Sequence, residues 1–456
     1  MTDIEHLRNQ MEEITLEMVK LLKKRTEIAK EIGQVKKSLG ISITDEIREG
    51  NLRKKVLSLS KQLELDEKLA SKYLNFLLNE SVRVQSTDKQ THLSIFLKAK
   101  EMEEQGKKII HMEVGEPDFM PPKIVKNALE EVYEKGFVKY GQAKGMPEFR
   151  KEIAQKISKD YGQNVTLENV LVSPGARFSI FLAISTLLNP GDELMVLEPA
   201  WPAYKDCALN AGVKVRTIKT TLECKWEPSI KQIEDSINSN TKMIALNYPN
   251  NPTGKILSEK IQDQIIEIAK KNNLYVLSDE IYSGYSYKEW KSVLEYNYEK
   301  SIVTQSFSKS HAMTGFRIGY TIASGEIINQ MVRLQALCLT NVSEPMQYVA
   351  LRSLREDTSE NSRIIKSRIS ALSKKAREIG LEFVEPDGAL YVFARVKQEG
   401  FDGIKFANDL LKLGLAVAPG EGFGDYKDFI RLSACRDEKT LMEGMNILDE
   451  RLRGKR

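Results

Sequence analysis

The sequence predicts an α-helical region followed by an α/β region built on a doubly wound, mostly parallel sheet. Over about residues 3–39, apolar side chains recur at alternating steps of three and four, which is typical of a long helix. From about residue 93 onward, short apolar runs alternate with helical segments, as buried parallel strands do with their crossover helices. The polar segment STDKQTH at 86–92 predicts a linker, so we expect domains at 1–88 and 89–456.

The first region is predicted to hold three helices. The first spans about 3–39, the second starts near Asp45 with Thr44 as its N-cap, and the third starts near Asp66. The first helix predicts one buried stripe of ten positions, nine of them apolar: Ile4, Leu7, Met11, Ile14, Met18, Leu21, Arg25, Ile28, Ile32 and Val35. Arg25 is the exception, and a guanidinium stays charged in a protein.

A charge in an apolar stripe has three interpretations. Arg25 would set the register of a coiled coil, extend its charge to the surface, or bind an anionic ligand. Lys36 lies eleven residues on, about 20° beyond three full turns and about 17 Å along the axis, so both side chains can converge on one small molecule. Asp45, Arg48 and Glu49 share one face at the start of the second helix, and Ser81 and Gln85 share one face of the third helix. Together these positions predict a cationic pocket, although surface charge pairs and a capping serine remain open interpretations.

In the second region, unusual polar residues follow several predicted strands. SPGAR places Gly175, Ala176 and Arg177 at a tight turn before a helix, which predicts an anion site suited to phosphate. SDEIY places Asp279 after a buried strand, and SFSKSHAMTGFRIGY places Lys309 after another. In open α/β sheets the ligand binds at these strand ends.

These residue types are what a pyridoxal 5′-phosphate site requires: a lysine for covalent attachment, an aspartate for the ring nitrogen and a cradle for phosphate. Taken singly, each motif is equally explained by a surface pair, a turn or a helix cap. Their joint order and spacing favour the cofactor.

Residues 92–450 resemble the fold type I, class I/II aminotransferases. The motifs that carry the resemblance are VGEPDF at 114–119, KYGQAKGMPEFR at 139–150, NPTG at 251–254, SDEIY at 278–282, SFSKSHAMTGFRIGY and FIRLSAC at 429–435. The resemblance implies a large doubly wound domain, a smaller α/β domain formed by both ends of the region, pyridoxal phosphate as cofactor and a homodimer.

The resemblance also implies roles for individual residues. Lys309 would hold the cofactor and move the substrate's Cα proton, and Asp279 would pair with the ring nitrogen. Arg431 would bind the substrate α-carboxylate, and Gly115 would contact the substrate. The other cofactor-binding positions would be Tyr282, Asn251, Trp201, Ala176, Arg177, Ser306, Arg317 and, from a partner subunit, Tyr140. Trp201 as a core residue and Arg177 as a solvated arginine are the alternatives; Arg177 is also a candidate for a substrate's distal carboxylate.

Residues 4–85 resemble the all-helical class of chorismate mutases, through LR, LLKKRTEIAKEIGQVK, DEIRE and ESVRVQ. By this resemblance the substrate carboxylates are bound by four residues: Arg8 of a partner chain, Arg25, Arg48 and Ser81. Lys36 and Gln85 would reach the ether oxygen, and Glu49, with the backbone near Asp45, the ring hydroxyl. Chorismate rearrangement needs no nucleophile, only positioning and fixed electrostatics.

We therefore predict a bifunctional enzyme of aromatic amino-acid biosynthesis. It would convert chorismate to prephenate, then prephenate to arogenate with aspartate or glutamate as donor, because prephenate carries a 2-oxo acid side chain. One alternative is a mutase fused to an aspartate or aromatic aminotransferase; another makes the helical region a regulatory sensor. A DNA-binding regulator is disfavoured because a helix-turn-helix needs shorter helices.

Composition fits this prediction. The net charge of +4 over 456 residues is mild, so it argues against nucleic acid as a partner while suiting anionic substrates. The four cysteines show no CxxC pairing, which predicts neither a metal site nor a disulfide framework. The charged N-terminus and the absence of an 18-residue apolar run predict a cytoplasmic protein without a membrane partner.

Overall fold

The computed structural model describes residues 2–39, 45–85, 92–137 and 139–454. The chain divides into two compact units, Met1–Lys89 and Gln90–Arg456. Among the described residues, no helix is both long enough and apolar enough to cross a bilayer.

The first unit contains the three predicted helices, α1 (Thr2–Leu39), α2 (Glu46–Gln62) and α3 (Glu67–Gln85). The predicted N-cap of α2 is wrong. The cap is Asp45, whose carboxylate accepts a hydrogen bond from the backbone N–H of Arg48 at 3.0 Å, because an aspartate three residues before a free N–H satisfies it directly. Thr44 lies outside the described residues.

The predicted burial of the α1 stripe is also wrong within one chain. Its nine apolar members are between 41% and 71% exposed. The face that α1 presents to α3 is a different one: Ala29 is buried, Thr26 and Gly33 are half-buried, and Arg25 reaches Ser81 from its edge. Both faces are apolar or small, so the 3–4 periodicity does not say which of them α3 covers.

The second unit holds the other helices: α4 (His92–Glu104), α5 (Ile124–Glu134), α6 (Pro147–Tyr161), α7 (Ala176–Leu187), α8 (Ala203–Asn210), α9 (Ile230–Ser236), α10 (Glu259–Lys271), α11 (Gly325–Leu339), α12 (Glu344–Ser353), α13 (Ser359–Glu378), α14 (Gly403–Lys412) and α15 (Glu438–Leu452). Its strands are β1 (Ile110–His111), β2 (Val170–Ser173), β3 (Glu193–Glu198), β4 (Lys214–Lys219), β5 (Thr241–Asn247), β6 (Tyr275–Asp279), β7 (Ser301–Ser306), β8 (Gly319–Ile322), β9 (Tyr391–Arg395), β10 (Leu415–Ala416), β11 (Ala418–Pro419) and β12 (Phe429–Ser433).

A seven-stranded sheet forms the centre of this unit, in the order β2-β8-β7-β6-β5-β3-β4. The pairings from β7 to β4 are parallel, whereas β8 is antiparallel to both of its neighbours. Alternate residues along each strand enter opposite cores, as Leu194 and Met195 do on β3. The predicted doubly wound, mostly parallel sheet is confirmed.

Both ends of the second unit meet in its smaller part, as predicted. There β1 pairs in parallel with β10, and β11, β12 and β9 form an antiparallel sheet. The backbone of Met112 donates to Ala416 O and accepts from Ser433 N, so the segment after β1 is bonded on both sides. This segment leads directly to the cavity described next.

Candidate active site

A cavity of about 320 Å³ lies at the carboxyl ends of the central strands of the second unit. Asp279 ends β6, Asn247 ends β5, and Lys309 follows β7. The carboxyl ends of parallel strands lie at one edge of a sheet, so Asn247 and Lys309, which are 62 positions apart in the sequence, face the same cavity. The lining residues are Phe96, Val114, Gly115, Glu116, Ala176, Arg177, Trp201, Tyr204, Asn247, Asn251, Asp279, Ile281, Tyr282, Ser308, Lys309, Thr314, Arg317, Tyr391 and Arg431.

The ammonium group of Lys309 lies inside the cavity. Its Nζ donates to the carbonyl of Gly115 at 2.5 Å and lies 6.0 Å from the ring centre of Tyr282. Burial lowers the pKa of Lys309, and the charges of Arg431 and Arg317 act in the same direction. A lysine with a lowered pKa has more of the neutral amine that covalent chemistry and proton transfer require.

Asp279 is a buried carboxylate held by neutral donors. Tyr204 Oη donates to its Oδ2 at 2.7 Å, and Thr304 Oγ1 and the N–H of Ile281 lie 3.4 Å from its Oδ1. Burial is the main cause that raises the pKa of Asp279, to about 6, while the hydrogen bond from Tyr204 acts against it. A carboxylate in this setting favours a cationic partner, which a protonated ring nitrogen provides.

Arg431 crosses the cavity from β12 and is 1% exposed. Its Nη1 donates to Asn251 Oδ1 at 2.7 Å, and its Nη2 donates to the carbonyl of Glu113. Its Nε has no hydrogen-bond partner among the described residues. The guanidinium lies 4.2 Å from the ring centre of Tyr391, so it is oriented by contacts on several sides.

Two tyrosines form a second oriented pair. The hydroxyl groups of Tyr282 and Tyr391 are 2.7 Å apart, and their rings pack edge to face. A side chain on Gly115 would place its Cβ 1.8 Å from the hydroxyl of Tyr391, so only glycine leaves room there for the tyrosine. Gly115 thus shapes the cavity through its lack of a side chain as well as through its carbonyl.

An anion cradle lies at the start of α7. Gly175 has φ +87°, and Ala176 and Arg177 begin the helix. This positive φ favours glycine, and a Cβ on Gly175 would also lie 2.6 Å from Arg317 Nη2 and displace that guanidinium. Burial and the nearby charge of Arg177 lower the pKa of Arg317. Two guanidinium groups and a helix N-terminus suit a phosphate.

Most predicted residues of this site meet in the cavity, and two do not. Ser306 is absent from the lining: its hydroxyl donates to Ile318 O at 3.0 Å and contacts Ser308 Oγ at 2.8 Å, and Ser308 lines the cavity instead. Tyr140 is 89% exposed and outside the cavity, as a residue serving a partner subunit would be. The guanidinium carbon of Arg177 lies 4.7 Å from the ring centre of Trp201, so the two side chains restrain each other at the cavity wall.

Sequence reasoning missed three aromatic residues of this lining: Tyr204, Tyr391 and Phe96. Tyr204 stands three positions after Trp201, and its N–H lies 3.5 Å from the Trp201 carbonyl across a turn, so the short spacing could have placed it near the same cavity. Tyr391 and Phe96 carry no local pattern that distinguishes them from core aromatics.

The helical unit holds a second, smaller site. Arg25 Nη1 donates to Ser81 Oγ at 2.8 Å, and Leu22, Thr26, Leu77 and Glu80 complete a small cleft around them. Gly33 lies against Gln85, where a Cβ would be 3.0 Å from Gln85 Cγ. Since Arg25 meets Ser81 and Gly33 meets Gln85, α1 and α3 run in the same direction.

The remaining predicted positions of the helical unit are spread along this arrangement. Gln85 Oε1 is buried without a hydrogen-bond partner among the described residues, and Lys36 is half-buried one turn beyond Gly33. Arg48 is exposed and Glu49 half-buried on the first turn of α2, capped by Asp45. Arg8 is exposed, about 25 Å along α1 from Arg25. One chain therefore brings Arg25 and Ser81 together but not Arg8.

The central sheet, with a buried lysine and aspartate at its strand ends, defines the fold type I architecture of pyridoxal phosphate enzymes. Residues 107–448 match the family model "Aminotransferase class I and II", and residues 7–86 match "Chorismate mutase type II". The chain belongs to the class I and II aminotransferase family and carries a chorismate mutase type II domain at its N-terminus. It is thus an enzyme with an isomerase domain and a transferase domain.

Named relatives agree with this assignment. An aspartate aminotransferase of Thermotoga maritima is 33% identical over 77% of this chain and 94% of its own length. An aspartate/prephenate aminotransferase of Thermus thermophilus is 30% identical over 80% of this chain and 96% of its own. The crystal structure of the Thermotoga maritima aspartate aminotransferase matches 81% of this chain and 99% of its own, with a TM-score of 0.77 and 32% identity.

The residues of the cavity fit the cofactor on which this family depends. The lysine is buried, the carboxylate has neutral donors only, and glycine keeps the cradle open beside two arginines. Lys309, Asp279 and the cradle at Gly175 would hold pyridoxal phosphate by its aldehyde carbon, ring nitrogen and phosphate.

Proposed function

We propose that the chain is a bifunctional enzyme with catalytic domains at 1–88 and 89–456, which converts chorismate to prephenate and then prephenate to arogenate, with aspartate or glutamate as amino donor. The observation that carries the proposal is the joining of these two domains on one chain. Prephenate, the product of the first, bears the 2-oxo acid group that the second aminates. The name of the Thermus thermophilus relative, which includes prephenate, supports this substrate.

In the mutase domain the proposed work is positioning. The hydrogen bond from Arg25 to Ser81 fixes the guanidinium, which would bind a substrate carboxylate. Lys36 and Gln85 would approach the ether oxygen, where negative charge develops during the rearrangement. Arg8 lies too far along α1 to serve the same pocket, so we propose that the partner chain of a homodimer supplies it.

In the transferase domain, bound pyridoxal phosphate would supply the electron sink that stabilises negative charge at the substrate Cα. Arg431 would orient the substrate by its α-carboxylate, since its guanidinium is already held by Asn251 and the Glu113 carbonyl. Lys309 Nζ would then move the Cα proton. Arg177, at the wall of the cavity beside Trp201, would meet a distal carboxylate of the donor or of prephenate.

We also propose that the protein is cytoplasmic. Its four cysteines are free thiols, and Cys224 and Cys338 are exposed, which favours a reducing compartment.

A coupled assay tests the proposal. The purified chain receives chorismate with aspartate or glutamate, and the product is identified by mass. Lys36→Ala should abolish arogenate formation from chorismate but not from supplied prephenate. Lys309→Ala should still convert chorismate to prephenate but should not aminate it. Brisk transfer to phenylpyruvate or 4-hydroxyphenylpyruvate with none to prephenate would support the aromatic-aminotransferase alternative. An unchanged mutase rate in Lys36→Ala would support the sensor alternative.

A further inference from the structure

A histidine lies between two carboxylates just behind the cavity wall. His111 is buried on β1; its Nδ1 is 2.8 Å from Glu113 Oε1, and its Nε2 is 3.1 Å from Glu103 Oε1 on α4. Glu113 lies two residues beyond the end of β1, in the segment whose Met112 is bonded on both sides, and its side chain turns back to His111. Neither the predicted chemistry nor the family motifs quoted above assign this group a role.

Both contacts of the imidazole require a proton. Glu103 accepts from Lys100 at 2.8 Å, and that bond is the main cause that lowers the pKa of Glu103, so it is a carboxylate and His111 Nε2 is the donor. Glu113 is 0% exposed, and its Oε2 has no hydrogen-bond partner in the described part of the chain. With Nδ1 protonated as well, the imidazolium donates to a carboxyl group on each side, and this is the state that the experiment below tests.

The same segment carries the contacts of the two principal active-site residues. The carbonyl of Glu113 accepts from Arg431 Nη2, and the carbonyl of Gly115 accepts from Lys309 Nζ. Phe96 lines the cavity on one side and lies 6.2 Å from the His111 ring on the other. A movement of the Glu113 side chain would therefore shift the backbone that orients Arg431.

We propose that His111 is a positioning residue of the transferase site: by bonding Glu113 and Glu103 it fixes the backbone at 113–115 and so keeps Arg431 oriented toward the substrate α-carboxylate. This inference rests on the proposed role of Arg431. It predicts that loss of His111 weakens substrate binding and leaves the chemical step nearly unchanged.

The arrangement also links binding to pH. The hydrogen bond to Glu113 is the main cause that raises the pKa of His111, against the effect of burial. Among the described residues, the charged groups that contact the ring or its partners are Glu113 on its own segment, Glu103 and Lys100 on α4, and Arg431 on β12, which bonds the Glu113 carbonyl. As pH rises through the raised pKa, one N–H and one carboxylate contact are lost, so KM should rise on the alkaline side while kcat stays level.

The protonation state is measured first, by ¹⁵N NMR of the imidazole nitrogens in the holoenzyme. The chain has four histidines, at positions 6, 92, 111 and 311, so a His111 variant assigns the signal by its loss. His311 is an internal reference, because burial lowers its pKa to about 4 and keeps it neutral. We expect both nitrogens of His111 to be protonated at pH 7. A neutral imidazole at that position would overturn the proposal.

Two matched substitutions test the geometry. Asn at 111 places its amide near the position of Nδ1 and retains a donor for Glu113, whereas Gln places it near Nε2 and retains only the contact to Glu103. His111→Gln should raise KM for L-aspartate and L-glutamate about tenfold, the effect of losing one hydrogen bond between charged groups, and flatten its pH profile. His111→Asn should raise KM less, and Lys98→Ala, on the same helix but bonded to Asn408 rather than to either partner of the imidazole, should keep the wild-type KM.

The outcomes separate this inference from the proposed function. Arg431→Lys should raise KM for the amino-acid substrates whether or not His111 has a positioning role. If Arg431→Lys leaves KM unchanged, Arg431 does not bind the α-carboxylate, and the inference about His111 fails with it. If Arg431→Lys raises KM while both His111 variants match wild type, His111 has no positioning role. A fall in kcat at unchanged KM in His111→Gln would overturn the proposal as well.

Discussion

The hydrogen bond from Tyr204 to Asp279 should control how the enzyme's affinity for its cofactor depends on pH. The phenol stays protonated, because burial and the neighbouring carboxylate raise the pKa of Tyr204 well above its usual value. It therefore stabilises only the ionised form of Asp279, across 2.7 Å. Tyr204→Phe removes this donor and leaves the ring.

The size of the effect follows from the two ionisation states. A hydrogen bond to a buried carboxylate contributes about 2 kcal/mol, which corresponds to about 1.5 pKa units. The pKa of Asp279, about 6 in the wild type, should therefore rise to about 7.5 in the variant. The ionised fraction then falls from about 90% to about 25% at pH 7, and from about one half to about 3% at pH 6.

The assay is a fluorescence titration of the apoenzyme with pyridoxal phosphate at several pH values. If the ring nitrogen binds only the carboxylate, Tyr204→Phe should weaken affinity about fourfold at pH 7 and about fifteenfold at pH 6, and hardly at pH 9. Tyr298→Phe is a matched control, because its hydroxyl donates to the carbonyls of Ala269 and Leu274 rather than to Asp279. An equal loss at every pH would refute the electrostatic argument and leave only a packing role for Tyr204.

Three further changes test other parts of the structure. Ser81→Ala removes the acceptor that fixes Arg25 and should lower mutase kcat/KM about tenfold while transaminase rates in the same preparation stay level. Asp279→Asn should abolish tight cofactor binding. It should nevertheless raise the melting temperature of the apoenzyme at pH 8, although not at pH 4. Burial raises the pKa of Asp279 to about 6, so the ionised carboxylate destabilises the fold above that pH, by up to about 3 kcal/mol. Ile14→Glu places a charge in the exposed apolar stripe and should lower the mutase rate and the thermal stability of the helices. Lys20→Glu, on the opposite face of α1, should change neither. Equal behaviour of the two variants would contradict an interface at the stripe.

The sequence was sufficient for the parts of the transferase site that local patterns encode. Asp279 and Lys309 each follow an apolar run at a strand end, and parallel topology brings such ends together without any knowledge of side-chain contacts. Tyr391 and the pair His111–Glu113 could not be found this way. Their roles depend on contacts with residues as distant along the chain as Arg431, and no spacing rule connects residues across a tertiary contact of this length.

Ser306 illustrates a finer limit. If SFSK continued the strand, Ser306 and Ser308 would point to the same side, so the sequence alone allows either hydroxyl to be assigned to an anion. The direction in which the chain leaves β7 decides between them: it places Ser308 at the cavity and bonds Ser306 to the Ile318 carbonyl. A two-residue ambiguity of this kind is settled only by the backbone path.

The periodicity of α1 predicts an apolar face correctly, but it does not say what covers that face. In the described part of the helical unit, the buried apolar side chains are only Ala29, Ala70, Leu74 and Val84. The nine apolar side chains of the stripe are 41–71% exposed, so covering them would contribute roughly 7–15 kcal/mol, at about 1.5–3 kcal/mol for a fully exposed side chain, which is comparable to the usual stability of a whole domain. We expect a second chain, the homodimer partner proposed above, to cover this face. Arg8 lies about 100° around α1 from Arg25, beside the stripe, so a chain packed on this face would also be placed to bring its own Arg8 to the pocket, as proposed above.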